Sequence, residues 1–440
     1  MKRSKKILAF ALAAALMLTA LTACKGQTSE SSPSSEAAQK NSQSAQSTAP
    51  KKTVTLNFWH HYSAQSPENE TLMKVLIPKF EEENPEYKIN ATSYEWAKLH
   101  DKILVSANGG TLPDVARLDI AWVPEFQKLD LLVPLDREMS DFGQASGALL
   151  ESAMSTADVG GSYYGLALNT NTKILFYNKA ALQKAEISAP KTMEEFVAAV
   201  KKLSGKNDKG QQIWGLNEPA LAGWNVLPYI WSMGGEITNE DYTKATGYLN
   251  GPKTVQAIHM LANLYKDGAM TGFNSGDIPM TDGFGTGRYG MLLEGPWKIA
   301  EMKGSYPDFS YGTADMPAGE GGSHSVLGGE DIGVFRSADK EGAWKFAKFM
   351  TGEFAQEEMA KCGLIPVNKT ALDSQTVKDA SFAPFLNAIV NAKARPPVAS
   401  WSEIDNELTT AMTSIVKDGA DAQKTLDSLA AKVDALLAKK

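Results

Sequence analysis

The sequence predicts an α/β fold. Two observations carry the prediction: short segments with period-two apolar alternation recur between longer segments with a 3.6-residue apolar period, and 43% of the 440 residues are hydrophobic, enough for a large core. A third observation sets the scale. The first 52 residues read as a leader and tether, leaving 388 for folded structure, which suggests two domains.

Residues 53–59 alternate apolar Val54, Leu56 and Phe58 with polar neighbours and read as a strand. A helix over 70–83 follows, through Leu72, Val75, Leu76 and Phe80, and Asn84-Pro85 stops it. Residues 87–94 read as a second strand, 96–108 as a helix ended by Gly109-Gly110, and 113–118 as a third strand. Such alternation implies a largely parallel sheet. Downstream it resumes with strand 173–177, helix 192–203, strand 213–216, and helix 252–266 with Gly268 just past its end. Strand 289–293, a long amphipathic helix over 341–361 and a helical tail from Glu403 complete the pattern.

At the N-terminus, Lys2, Arg3, Lys5 and Lys6 precede an apolar run over 7–21. The run is 15 residues long, short of the roughly 20 that a spanning helix needs, so residues 1–23 read as a removed secretory signal. The box Leu21-Thr22-Ala23-Cys24 resembles the bacterial lipobox, whose cysteine is acylated. That resemblance makes Cys24 a lipid anchor on the outer face of a cell membrane. Residues 25–52 are almost wholly Ser, Gln, Ala, Thr, Lys and Glu, with no aromatic and no branched aliphatic residue, the composition of a flexible tether.

Removing residues 1–23 deletes four of the 44 basic residues and no acidic one, leaving 40 against 51, a net charge of about −11. Nucleic acid is thereby disfavoured as a partner, because its binders need a basic face. With Cys24 acylated, Cys362 stands alone and no internal disulfide can form.

Catalytic and cofactor motifs fail their contexts. Gly285-Thr-Gly287-Arg-Tyr-Gly290 satisfies GxGxxG, but it precedes an apolar strand, whereas the dinucleotide fingerprint follows a strand and opens a helix. There is no Walker loop, HExxH or GxSxG. Of five histidines only His60 and His61 are close, and adjacent side chains diverge on a strand, so neither a metal nor another cofactor is expected.

What remains is an uneven distribution of aromatics. Trp59-His60-His61-Tyr62 follows the first strand, Tyr94-Glu95-Trp96 the second, and Asp119 with Trp122 the third. In open α/β sheets ligands bind beyond the carboxyl ends of strands. The second half adds Trp224, Trp231, Glu294 with Trp297, Arg395 and Trp401. Flat aromatics cover the apolar face of a sugar ring, and carboxylates, amides and guanidinium groups satisfy its hydroxyls. Trp96 and Trp122 could equally pack against a sheet, Asp119 could cap a helix, and Glu294 could pair with Lys298. His60 and His61 cannot both face a ligand.

Several motifs, in order, resemble the extracellular solute-binding proteins of family 1, the maltodextrin-type receptors of ABC sugar importers. They are the Val54-Thr-Leu-Asn-Phe-Trp-His60 opening, Gly110-Thr-Leu-Pro-Asp-Val115, Tyr164-Gly-Leu-Ala-Leu-Asn169 leading to Leu175-Phe-Tyr-Asn178, Gly290-Met-Leu-Leu-Glu-Gly-Pro-Trp297, Leu327-Gly-Gly-Glu-Asp-Ile-Gly333, and Gly363-Leu-Ile-Pro-Val367. The resemblance implies a two-lobe periplasmic-binding-protein type II fold. It places an N-lobe at 53–165 plus 315–365 and a C-lobe at 166–314 plus 366–440, with hinge crossings near 165–168, 311–317 and 364–368. It also implies ligand contacts at Trp59 or His60, Glu95, Asp119, Asn169, Trp231, Glu294, Trp297, Glu330 and Trp401. The implied function is a non-catalytic, monomeric receptor that captures a neutral carbohydrate, an oligosaccharide by the number of aromatics. Its implied partners are a permease pair and a cytoplasmic ATPase. Lipid anchoring of this kind fits single-membrane bacteria. The alternatives are the same fold around a polyamine or other small solute, and a surface glycoside hydrolase.

Overall fold

The computed structural model describes residues 53–378 and 382–439. The signal, Cys24 and the tether lie outside the described residues. Eleven strands occur among those described: β1 (Val54–His60), β2 (Tyr87–Ser93), β3 (Val115–Asp119), β4 (Leu166–Thr172), β5 (Ile174–Asn178), β6 (Gly205–Lys206), β7 (Gln212–Asn217), β8 (Met270–Thr271), β9 (Tyr289–Glu294), β10 (Tyr311–Ala314) and β11 (Leu327–Val334). They form two sheets, ordered β2-β1-β3-β11-β4 and β10-β5-β9-β7-β6, with β8 beside β7.

The α/β class holds, but the sheets are mixed rather than mostly parallel. β11 runs antiparallel to both β3 and β4, and β5 antiparallel to both β9 and β10. The cause is chain routing: β4 passes into β5 with a single residue between them, and β11 returns to the first sheet from the second. No helix separates these strands from their predecessors in the way a parallel crossover requires.

Strand alternation sends apolar residues to both sides of each sheet. Phe58 and Val115 join one core cluster, and Trp59, Ala116 and Leu118 the other. In the second sheet Leu175 faces one cluster while Ile174 and Phe176 face another. The expected helix over 341–361 is two helices, Lys340–Met350 and Glu353–Lys361. Thr351 turns its hydroxyl back to the Ala347 carbonyl at 3.0 Å, and Gly352, a poor helix former, sits at the start of the second helix. The tail is likewise split, into Trp401–Val416 and Ala422–Leu437. Gly285 to Gly290 forms the turn from a helix (Met280–Gly285) into β9, with Gly287 at φ +71°, so the GxGxxG match is a turn. Cys362 is buried and free, its Sγ 3.1 Å from the Thr71 hydroxyl.

The passages between the sheets fall later in the chain than expected. β4, placed in the second lobe from the sequence, belongs to the first sheet, so the first passage is at Lys173 rather than 165–168. The second lies in 315–326, between β10 and β11, and overlaps the end of the expected 311–317. Ser325 ties the two together: its hydroxyl accepts from the Lys173 N–H at 3.2 Å and donates to the Lys173 carbonyl at 2.7 Å. Lys393 joins them, its N–H donating to the Ser325 carbonyl and its carbonyl accepting from Leu327. In the third expected segment Leu364 and Val367 pack with the first sheet and Ile365 with the second. The helix Lys369–Leu372 then packs on Glu353–Lys361, so the chain just after 366 stays with the first sheet.

Asp331 is fully buried in β11, and burial pushes its carboxyl up to about 8, against hydrogen bonds of 3.1 and 3.3 Å from the Thr156 hydroxyl. The folded protein therefore holds a proton that the unfolded chain, with an ordinary value of 3.8, releases. Stability from this group is full below about pH 4 and is lost as pH rises towards 8. Asp331→Asn is expected to flatten the fall in melting temperature between pH 5 and 8 and to melt higher than the parent at pH 8. Parallel pH profiles of the two proteins would refute this.

Candidate functional site

A cavity of about 380 Å³ opens where the carboxyl ends of β1, β3, β4, β7 and β9 converge on the start of β11. β1 delivers His61 and Tyr62, β3 delivers Arg117 and Asp119, β4 delivers Asn171, and β11 delivers Gly328, Gly329 and Glu330. From the second sheet, the loop after β7 and its helix (Gly223–Ser232) bring Trp224 and Asn225, and the helix after β9 (Trp297–Ser305) brings Trp297 and Glu301.

Register explains the polar floor. Glu330 pairs across the sheet with Asp119 on one side and Asn169 on the other, so three polar side chains stand at one level. Arg117 lies two residues before Asp119, on the same face of β3. Its Nη2 is 2.8 Å from Glu330 Oε2, which also accepts from Asn169 at 2.6 Å and from Asn171 at 3.4 Å. Its Nη1 lies 2.8 Å from His61 Nδ1 and 2.9 Å from Nε2, and since a guanidinium only donates, the imidazole is the acceptor. Burial, with the Arg117 charge added, holds His61 well below its ordinary value and takes His60 down to about 3. The guanidinium also lies 4.3 Å over the Tyr62 ring. Burial takes the Tyr62 phenol to about 12.

Asp119 is gripped by Arg395, whose Nη2 is 2.6 Å from Oδ1 and Nη1 3.3 Å from Oδ2. The same carboxylate accepts from the Ala121 N–H at 2.9 Å and from the Trp96 indole at 3.0 Å. Burial pushes Glu330, Glu68 and Asp405 up. The Gly223 N–H donates to Asp405 at 2.6 Å, fixing the start of the Trp224 helix. At Gly328 an added Cβ would meet Asn171 Oδ1 at 2.1 Å and the Trp224 ring at 2.6 Å, so only glycine lets the ring close on β11. Five buried polar atoms of this wall have no protein partner: Tyr62 Oη, Glu68 Oε2, Asn171 Oδ1, and the Nε of Arg117 and Arg395.

Seven residues expected from the sequence line the cavity: Tyr62, Trp96, Asp119, Trp224, Trp297, Glu330 and Arg395. Asn169 lies just beneath, on Glu330. The others do not. His60 turns into the core between Phe58 and Tyr62, and its neighbour His61 faces the cavity instead. Trp59 packs on Tyr94, Trp122 on Trp96 and Phe126, and Trp231 and Trp401 in the large cluster of the second sheet. Glu95 is exposed. Glu294 folds onto the Gly295 N–H at 2.8 Å, while Lys298 pairs with Glu301. Sequence reasoning missed Arg117, Asn171, Glu68, Glu301 and Asp405, and of the two adjacent histidines it favoured His60 where His61 lines the cavity. The alternation of β3 could have flagged Arg117, which shares the Asp119 face.

Among the described residues no group of His, Cys, Asp and Glu could hold a metal, and no helix is long and apolar enough to cross a membrane. A putative binding protein of Brucella abortus (strain 2308) is 29% identical over 378 residues, covering 82% of this chain and 88% of that protein. The sn-glycerol-3-phosphate-binding periplasmic protein of Escherichia coli (strain K12) is 27% identical over 349 residues, covering 73% and 76%. The GacH receptor of Streptomyces glaucescens superposes with a TM-score of 0.77 at 23% identity, covering 88% of this chain and 99% of that one. That likeness gives the fold. Residues 76–384 match the family of bacterial extracellular solute-binding proteins, and the chain belongs to that family.

Proposed function

We propose that the chain is the carbohydrate-capturing subunit of an ABC importer, without catalytic activity, held to the outer face of the membrane through a lipid on Cys24. The observation that carries the carbohydrate is the cavity wall, where Trp96, Trp224 and Trp297 stand around a fringe of Asp119, Arg395, Arg117, Glu330 and Asn171. Aromatic faces take the C–H surface of a sugar ring, and fixed, charge-assisted hydrogen-bond groups take its hydroxyls. Unpartnered atoms of opposite kinds, donors on both arginines and acceptors on Asn171 and Glu68, suit hydroxyls, which donate and accept. The GacH receptor structure, described in complex with acarbose, supports the same ligand class.

The two sheets with their helices act as two lobes meeting at Lys173, Ser325 and Lys393. Ligand touching both lobes binds the closed arrangement better and shifts the population towards it. A permease pair then reads the closed form.

Phosphate ligands, suggested by the glycerol phosphate relatives, fit poorly, because both guanidinium forks are already on carboxylates or a histidine. Cys24→Ala protein is expected in the medium rather than with membranes. In calorimetry it is expected to give a saturable heat with at least one member of a panel of mono- and oligosaccharides. Protein still on the membrane would refute the anchor, and silence across the panel would refute the ligand class.

A further inference from the structure

We infer that the ligand carries a protonated amine, seated between Glu68 and Glu301. The inference rests on the carbohydrate reading for the rest of the ligand, and the two can fail separately. Charge on the cavity wall is unbalanced: the carboxylates of Glu68, Asp119, Glu301, Glu330 and Asp405 face the guanidinium groups of Arg117 and Arg395. Arg395 is spent on Asp119 and Arg117 on Glu330 and His61. Lys298, itself buried, answers Glu301 through a 2.5 Å contact to Oε2.

Glu68 has no such answer. It is 8% exposed, on the short helix after β1 (Pro67–Thr71), it lines the cavity, and its buried Oε2 has no hydrogen-bond partner. Burial pushes its carboxyl up, only partly opposed by Ser66 and Arg117, and the negative charge of Glu301 adds to the rise. Glu68 comes from the half of the first sheet and Glu301 from the half of the second, so the cavity joins two like charges across the cleft. A neutral hydroxyl would satisfy one oxygen and leave the charge. An ammonium group would neutralise it and donate up to three charge-assisted hydrogen bonds. Trp297 lies four residues before Glu301 on one helix face and sets an aromatic ring beside the seat.

The test compares a glucosamine disaccharide with free amines, its N-acetylated counterpart and spermidine, by calorimetry on the purified protein and on Glu68→Gln at low and high salt. The free-amine sugar is expected to bind at least about tenfold tighter than the acetylated one, the worth of one charge-assisted contact. Glu68→Gln and high salt should each shrink that ratio towards one. Equal or tighter binding of the acetylated sugar, or a ratio unmoved in Glu68→Gln, overturns the amine seat and leaves the carbohydrate reading standing. Binding of spermidine alone, weakened in Glu68→Gln, upholds the seat and overturns the carbohydrate reading. Binding of none of the three overturns the amine seat, and the carbohydrate reading then falls only if the wider sugar panel is silent too.

Discussion

Trp224→Ala is expected to weaken binding of the captured sugar by about 30-fold or more while leaving the melting temperature nearly unchanged. Trp224 is half-buried at the first turn of its helix and lines the cavity. Its ring meets β11 at Gly328, where a side chain is excluded, and the Arg395 guanidinium lies 5.7 Å from its centre. The ring therefore belongs to the second half of the molecule yet stands against a strand of the first. A ligand stacked on it touches both halves, which is what makes closure favourable. Truncating a tryptophan of this kind typically costs about 2 kcal/mol or more of binding. The control is Trp401→Ala: that ring is 2% exposed in the second-sheet core, and its loss should cost about 3 to 5 kcal/mol of stability. Unchanged sugar affinity in Trp224→Ala would remove this residue from the site.

The contrast between these two tryptophans shows how far the sequence could be read. Strand alternation located the ends of β1, β3 and β9 to within a residue or two, and site residues just past those ends, Tyr62, Asp119 and Trp297, were legible from that alone. Lining and core tryptophans on or beside helices could not be told apart, since which way Trp96, Trp122, Trp231 or Trp401 points depends on helix phase against a tertiary neighbour. Trp96 and Trp122 contact one another at 5.1 Å, yet one is 39% exposed at the cavity and the other 2%. Arg117 was missed because a charged residue inside an apolar strand reads as the solvent face. Here the guanidinium is buried among His61, Tyr62 and Asn169 of the same half, and Glu330, distant in sequence, supplies the counter-charge. The mixed sheets were hidden for a related reason: β4 and β5 are separated by one residue, so no turn signal marks the point where the chain changes sheet.

That one residue, Lys173, carries an expected effect on stability as large as that of Trp401. It is fully buried, and its ammonium is 3.2 Å from Glu218 Oε1. Glu218 also accepts from Asn225 and, at 2.9 Å, from the Tyr229 hydroxyl, so the charge is tied to the helix that carries Trp224. Lys173→Met keeps the length of the side chain but leaves Glu218 buried without its cation. Breaking a buried pair on one side costs about 3 to 5 kcal/mol. At ~2.1 cal/mol/K per residue over the folded part, that is a fall in melting temperature of about 4 to 6 °C. Burial already pushes the Glu218 carboxyl up against the pull of Lys173. In Lys173→Met the acid should therefore stay protonated to higher pH, and the loss should be smaller at pH 5 than at pH 8. Lys173→Met with Glu218→Gln removes the orphaned charge and should recover most of the difference. The helix would nevertheless lose its tie to the passage between the sheets, so sugar affinity should stay low in the double variant even where stability returns. A single variant within 1 °C of the parent at pH 8 would show that the pair contributes nothing, and full affinity in the double variant would show that the tie does not position Trp224.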